Sequence, residues 1–280
     1  MPLNVLLLVL FGALLHALWN ALVRASGDKL HGTLLVVWGG GVLAALMLPF
    51  LPLPAQPSWP YLAASVLIHV LYFSLLAFSY RQAELSLAYP LMRGTAPALT
   101  ALAAAVLLHD SPSPGGWAGI VLISTGVLLL AGGAWRVGML PASTVAPALG
   151  NALVIACYTL VDGQGARLSG HAMSYNGWIF VLTAPAMLGV AWALRGRSVV
   201  QQTLPGWRMG LIGGACTLAS YGLALWAMAQ APIASVAALR ETSIVFAALL
   251  GLLFLKERIS RLRYASIFLV CAGAVAIKLG

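Results

Sequence analysis

One stretch of this sequence occurs twice, as Leu91-Met92-Arg93-Gly94-Thr95 and as Leu239-Arg240-Glu241-Thr242. The two copies lie 147 positions apart, a spacing that pairs Arg93 with Arg240. The same spacing pairs His109-Asp110 with Lys256-Glu257. A match maintained over this length indicates an internal duplication, which must be taken into account before any single motif is interpreted.

The composition is that of a protein whose solvent is lipid. Of the 280 residues, 61% are hydrophobic and only 8% are charged, whereas about a quarter of the residues in a soluble domain are charged. A membrane-spanning helix needs roughly 20 mostly apolar residues. The sequence predicts ten such spans, at Leu3–Leu22, Leu34–Leu51, Trp59–Ser79, Leu85–Leu108, Trp117–Leu130, Ala146–Val161, Tyr175–Leu194, Met209–Met228, Ile233–Leu255 and Tyr264–Lys278.

Each copy of the repeat contains five spans, and the odd number makes the two copies enter the membrane from opposite sides. We therefore expect an all-α membrane protein of ten transmembrane helices, built from two inverted five-helix repeats over residues 1–135 and 143–280. Inverted repeats are common in secondary transporters, whose substrate site lies near the midplane between the halves.

Basic residues predict the orientation of the chain. Loops after the odd-numbered spans carry eleven Lys and Arg residues, whereas the opposite face carries only Arg167 and Lys278. Because cytoplasmic loops are enriched in positive charge, we expect the first face to be cytoplasmic and both termini to be periplasmic. The eleven are Arg24, Lys29, Arg81, Arg136, Arg195, Arg197, Arg208, Lys256, Arg258, Arg261 and Arg263.

Two segments and the first span carry a family resemblance. Residues Gln82–Asp110, with Tyr89-Pro90 and Pro97, and their partner Gln230–Glu257 resemble the signature of EamA-type members of the drug/metabolite transporter superfamily. The first span, with His16-Ala17-Leu18-Trp19-Asn20, is similar to one bacterial branch of that family. The resemblance implies a ten-helix exporter of amino acids or similar metabolites. It also implies a cavity lined mainly by spans 1, 3, 4, 6, 8 and 9, with spans 5 and 10 outside.

Arg93 and Arg240 are the most informative polar residues. An arginine at the centre of a membrane helix costs about 2.5 to 3.5 kcal/mol on insertion scales, so each residue needs a compensating role. One or both could contact a substrate carboxylate, or pair with Glu241 across the cavity and separate during transport. Fixed structural pairing, or contact with backbone carbonyls at a helix interface, is the alternative.

Other polar and aromatic side chains are further candidates. In span 3, His69, Tyr72 and Ser79 are separated by three and by seven residues, and these spacings place them on one face of a helix. Hydrogen bonding between helices is the alternative use for such residues. Further cavity candidates are His16, Asn20, Tyr89, Tyr158, Tyr221 and Trp226.

Two acids are candidates for a proton site or a gate. These are Asp162 and Glu241. For Asp162, a solvated helix end near Arg167 is the alternative. His16 and His69 could also carry a proton, since histidine titrates near neutral pH.

Taken together, the sequence predicts an inner-membrane secondary transporter that exports amino acids or related small metabolites by alternating access. Efflux of lipophilic drug cations is an alternative within transport, and a membrane-embedded enzyme is an alternative from another class. We expect no catalytic residue, metal, cofactor or nucleic-acid partner. The expected partners are a small-molecule substrate and the lipid bilayer, and the expected state is a monomer. The three cysteines, Cys157, Cys216 and Cys271, lack metal-ligand spacing and are predicted to be buried and unpaired.

Overall fold

A computed structural model describes residues 1–26, 28–82, 85–130, 142–196, 206–255 and 260–280. These residues form α-helices joined by short turns, and two 3₁₀ turns, Leu48–Phe50 and Gln56–Ser58, follow the second helix. The helices are α1 (Leu3–Ala25), α2 (Lys29–Met47), α3 (Trp59–Gln82), α4 (Leu85–Leu107), α5 (Pro114–Leu129), α6 (Ala142–Leu168), α7 (Ala172–Arg195), α8 (Trp207–Met228), α9 (Ile233–Arg240), α10 (Ser243–Leu255) and α11 (Arg261–Leu279).

The lengths and composition of these helices suit a bilayer. In the described part of the chain, eight helical segments are both long enough and apolar enough to cross a membrane. Helices α9 and α10 together make up one of them. The remaining two spans are α3, with 24 residues, and α5, with 16. The chain is a multi-pass membrane protein, and the predicted all-α architecture of ten spans is confirmed.

Helix contacts follow the symmetry of an inverted repeat. Helix α1 of the first half packs against α8 of the second, and α6 of the second half packs correspondingly against α3 of the first. Likewise α2 packs against α8 while α7 packs against α3. Three further contacts join equivalent spans, namely α2 with α7, α4 with α9, and α5 with α11. The halves are therefore interlocked, with each packed against the other along most of its helices.

The ninth span is broken, whereas the sequence predicts one continuous helix over Ile233–Leu255. Helix α9 ends at Arg240 and α10 begins at Ser243, and the residues between them form a tight turn. There the amides of Glu241 and Thr242 donate to carbonyls only three residues earlier. The Thr242 hydroxyl also donates to the Leu239 carbonyl at 2.7 Å. Such a local side-chain bond competes with the regular helical pattern, which accounts for the break.

Glycines bring some helix backbones into direct contact. A Cβ atom on Gly39 of α2 would overlap the backbone of Gly210 of α8. In α5 and α11, a Cβ on Gly273 would lie only 2.7 Å from the carbonyl oxygen of Gly119. Small residues permit such close approach in membrane proteins, so the backbones of α5 and α11 touch at these two glycines, with Ile123 and Ile277 packed beside them.

The two chain termini lie together. The Lys278 ammonium donates to the Met1 carbonyl oxygen at 2.8 Å, so the first span begins on the side of the bundle where the last span ends. We call this side the terminus side, and the opposite side, which contains the α1–α2 turn, the loop side.

Candidate functional site

A cavity of about 760 Å³, including its open mouth, lies inside the bundle. Eight helices contribute to its lining, α1 to α4 and α6 to α9, whereas α5 and α11 pack together outside it. The lining residues are His16, Trp19, Thr33, Val36, Val37, His69, Tyr72, Arg93, Tyr158, Ile179, Phe180, Thr183, Thr217, Ser220, Tyr221 and Arg240. Charged, aromatic and apolar groups therefore face one common space.

We infer from the lining residues that the cavity opens toward the loop side. Trp19, near the end of α1, and Thr33, near the start of α2, flank the α1–α2 turn and line the cavity. On the terminus side, beyond the cavity, Asp162 and Tyr175 are fully buried. A small molecule would thus enter from the loop side in this conformation.

A polar network joins the two halves on the terminus side. The Arg167 guanidinium lies 3.0 Å from Asp110 and donates to the carbonyls of Met228 and Ala231 at 2.8 and 2.9 Å. Asp110 also accepts a hydrogen bond from the Ile233 amide at 2.9 Å. Asp110 belongs to the first half and the other four residues to the second, so this network closes the bundle on the terminus side.

Arg93 forms a buried ion pair across the interface between the halves. Its Nε lies 3.0 Å from Oε2 of Glu241, and both residues are only 4% exposed. Although these two atoms are close, their geometry does not meet the angle required for a hydrogen bond. A second nitrogen of Arg93 lies 3.4 Å from Nε2 of His16, whose Nδ1 accepts from the Trp19 indole at 3.3 Å. Arg93 is therefore neutralised by a partner from the opposite repeat.

Arg240, the repeat equivalent of Arg93, has a different environment. Its guanidinium lies 5.0 Å from the centroid of the Tyr221 ring, in cation–π geometry. Within the described residues, no carboxylate lies at ion-pair distance from it, and its buried Nε has no hydrogen-bond partner. Among the described residues, Arg240 therefore has no direct ion-pair partner, and its guanidinium faces the cavity.

One buried acid, Asp162, lies at the inner end of the cavity with tyrosine and histidine side chains around it. The Asp162 carboxylate accepts hydrogen bonds from the hydroxyls of Tyr175, at 3.4 Å, and Tyr221. Nε2 of His69 lies 3.9 Å from the same carboxylate. Tyr158 stacks at 4.8 Å from the His69 ring and makes an edge contact with Tyr221. Asp162 is thus held by hydroxyls and an imidazole rather than by a lysine or arginine of the described residues.

Most of the candidate residues lie in or directly behind this cavity. Glu241 and Asp162 are buried behind the lining, in contact with Arg93 and Tyr221 respectively. The alternative of a solvated helix end at Asp162 is wrong, because the residue is 0% exposed. The candidates on the lining itself are His16, His69, Tyr72, Arg93, Tyr158, Tyr221 and Arg240.

Other predicted residues have different positions. The Asn20 amide donates to the carbonyl of His16 in its own helix at 2.8 Å. Tyr89 and Trp226 pack against the apolar core and are not among the described lining residues. The side chain of Ser79 lies outside the described residues. The three cysteines are unpaired, as predicted. The predicted burial is wrong, because Cys157 and Cys271 are exposed and Cys216 is intermediate.

Residues on α2 and α7 were not predicted to line the cavity. They are Thr33, Val36, Val37, Ile179, Phe180 and Thr183. A signal for α2 was available in the run Gly39-Gly40-Gly41, because adjacent glycines in a membrane helix indicate close contact with another helix. For α7 we find no comparable signal.

Comparison with known proteins agrees with this architecture. The model of the EamA-like transporter family matches residues 3–132 and, a second time, residues 143–279. No curated protein matches the chain. The chain is also similar to a protein whose crystal structure has been solved. The two sequences are 19% identical, the match covers 99% of this chain and 97% of the other, and the TM-score is 0.78. At this identity the likeness shows a shared fold alone.

Proposed function

The chain belongs to the EamA-like transporter family, and we propose that it exports amino acids or related small metabolites across the bacterial inner membrane. A protein of this family is a membrane transporter. The choice of cargo is our inference from the cavity. The eleven basic residues assigned to one face favour a cytoplasmic loop side and periplasmic termini, so the mouth would receive cargo from the cytoplasm.

One observation carries the choice of cargo: the guanidinium of Arg240 faces the cavity and has no ion-pair partner among the described residues. Arginine is well suited to binding a planar carboxylate through two parallel hydrogen bonds. The rings of Tyr72 and Tyr158, 5.6 Å apart, offer an apolar wall for a side chain. Tyrosine ring faces also attract ammonium groups. A zwitterion with an apolar or aromatic side chain therefore suits this cavity.

The same charges disfavour a lipophilic cation as cargo. Two arginines line the cavity, and among the described residues the carboxylate close to Arg93 is that of Glu241, which its ion pair occupies. A cation entering from the loop side would meet Arg240 first, and the Asp162 carboxylate lies behind the lining, where it already accepts hydrogen bonds from Tyr175 and Tyr221. Drug-cation efflux is for this reason the weaker candidate.

Alternating access requires the closed side to open. The network of Arg167 and Asp110 ties the halves together on the terminus side. Inverted repeats permit a second conformation in which the halves exchange roles and the opposite side is closed. We infer that this network separates when cargo is released to the periplasm.

Counterflow into proteoliposomes tests the proposal. Vesicles loaded with an unlabelled neutral amino acid should accumulate the labelled form, with threonine, methionine and phenylalanine as the first set. The methyl ester of the best substrate should fail to compete, because it lacks the carboxylate that Arg240 would bind. Competition by a lipophilic phosphonium cation, without any amino-acid counterflow, would instead favour drug efflux.

A further inference from the structure

Two histidines border the cavity, and the neighbours of their ring nitrogens differ. For His16, Nδ1 faces the Trp19 indole N–H at 3.3 Å and Nε2 faces the Arg93 guanidinium at 3.4 Å. Indole and guanidinium groups only donate hydrogen bonds. A proton added to His16 would therefore point at another donor, so this ring is poorly placed to take one up.

His69 has acceptors on both sides of its ring. Its Nδ1 lies 3.0 Å from the backbone carbonyl oxygen of Ser65 and 3.2 Å from the hydroxyl oxygen of the same residue. The carbonyl is the nearer group and can only accept, whereas the hydroxyl can accept or donate, so we assign the ring proton to Nδ1. Nε2 of the neutral ring is then an acceptor, and it faces an Asp162 oxygen at 3.9 Å. Two acceptors facing each other lack the hydrogen that would join them. One added proton would supply it.

Burial strengthens this demand for a proton. Asp162 is 0% exposed, and an uncompensated carboxylate is costly away from water. The tyrosine hydroxyls that donate to it offset part of that cost, but they bring no positive charge. By contrast, Glu241 has the guanidinium of Arg93 at 3.0 Å. Of the two buried acids, Asp162 is the one that lacks a fixed cation among the described residues.

The groups around Asp162 come from each helix packed about it. Arg240 and Arg93 are the nearest fixed positive charges in the cavity; the first lies on the far side of the Tyr221 ring, and the second is paired. The titratable and charged groups are His69 on α3, Arg93 on α4, Tyr158 on α6 itself, Tyr175 on α7, Tyr221 on α8 and Arg240 on α9.

We propose that His69 and Asp162 form a single proton-binding site that couples export of the cargo to entry of a proton. The inference rests on the proposed function. The site would load one proton between Nε2 and the carboxylate when the terminus side is open, and would release it to water through the loop-side mouth. No other bond forms or breaks.

Tyr221 connects this proton site to the proposed cargo site. Its hydroxyl donates to Asp162 and its ring supports the guanidinium of Arg240. A carboxylate bound to Arg240 and a proton bound at Asp162 would thus act on the same side chain. Binding of one ligand can in this way alter the affinity for the other, as antiport requires.

Proteoliposomes with an imposed pH gradient test the coupling. A gradient of one pH unit can support up to about a tenfold accumulation of a neutral zwitterion exchanged for one proton. We expect the wild type to accumulate cargo under this gradient, whereas Asp162→Asn should show counterflow without gradient-driven accumulation. Asp162→Glu, which keeps the carboxylate, should retain part of the accumulation.

Different failures point to different proposals. Wild-type counterflow that ignores the pH gradient, or that responds to a sodium gradient instead, would overturn the proton site and leave the cargo proposal standing. Equal gradient-driven accumulation in Asp162→Asn would also overturn it. If no amino acid shows counterflow, the cargo proposal fails, and the proton site is then judged by spectroscopy alone.

Infrared difference spectra of the purified protein provide that measurement. Acidification should produce a difference band, from the carboxyl group of Asp162 or from the imidazole ring of His69, that is present in the wild type and lost in Asp162→Asn. The matched control is Asp28→Asn, which removes an acid outside the cavity and should keep the band. Identical bands in all three proteins would overturn the assignment of the proton to this site.

Discussion

The fourth and ninth spans carry equivalent arginines in unequal surroundings. Arg93 of α4 is paired with Glu241 at 3.0 Å, while Arg240 of α9 rests on the ring of Tyr221 and meets no carboxylate of the described residues. The contacts between helices follow the repeat, but the charges do not. The duplication therefore supplies two basic positions in one cavity, and only the first has an ion-pair partner among the described residues.

A single residue accounts for much of this difference. Gly94 follows Arg93 in the first repeat, and Glu241 follows Arg240 in the second. A Cβ on Gly94 would lie 2.7 Å from the side chain of Leu128 in α5, so this position has no room for a carboxylate. In the second repeat the break after Arg240 accompanies a side chain that reaches across to Arg93.

The largest expected effect comes from removing the partner of Arg93. Glu241→Ala should lower the free energy of unfolding by about 3 to 5 kcal/mol, because it leaves a buried charge unpaired. Thermal unfolding in detergent measures this loss. The double variant Arg93→Met with Glu241→Gln should recover most of the stability, and a double variant as unstable as Glu241→Ala would contradict a role in pairing.

A smaller effect, on transport rather than on folding, is expected at Arg240. Arg240→Gln removes a charged hydrogen bond to cargo worth about 1.5 to 3 kcal/mol, which corresponds to roughly a 10- to 100-fold loss of counterflow at low substrate concentration. The unfolding midpoint should stay near that of the wild type. Arg208→Gln, which removes an exposed arginine at the start of α8, is the matched control and should retain counterflow.

The smallest effect tests why the first repeat lacks an acid. Gly94→Ala should cost about 1 kcal/mol through overpacking, at the low end of the usual range because the nearest atoms belong to a flexible leucine side chain. The preference among substrates should not change. Unfolding in denaturant measures the cost, and a stabilised Gly94→Ala protein would show that space does not limit this position.

Much of the architecture could be predicted because lipid imposes simple demands. Long apolar stretches must form helices when no water is present to satisfy the backbone, and the repeated arginines reveal the duplication. The break in the ninth span could not be predicted in this way. Its turn contains neither proline nor glycine, and depends on the bond from the Thr242 hydroxyl to the Leu239 carbonyl.

The cavity was predicted only in part, for a physical reason. His69, Arg93 and Arg240 stood out because polar groups are costly in an apolar span. Residues such as Val36 and Ile179 did not, since a membrane helix that is apolar on every side carries no periodicity to show which face is internal. Pairing across the halves, as between Arg93 and Glu241, depends on tertiary structure that local sequence does not specify.

The seam between α5 and α11 has a mechanical consequence. Because the backbones of Gly119 and Gly273 touch directly, α5 and α11 have little freedom to move apart. A rotation of one repeat against the other would therefore have this seam as its axis. Displacement grows with the length of the lever arm, so atoms near the axis barely move. The widest excursion should fall on α2 and α7, which pack together away from it.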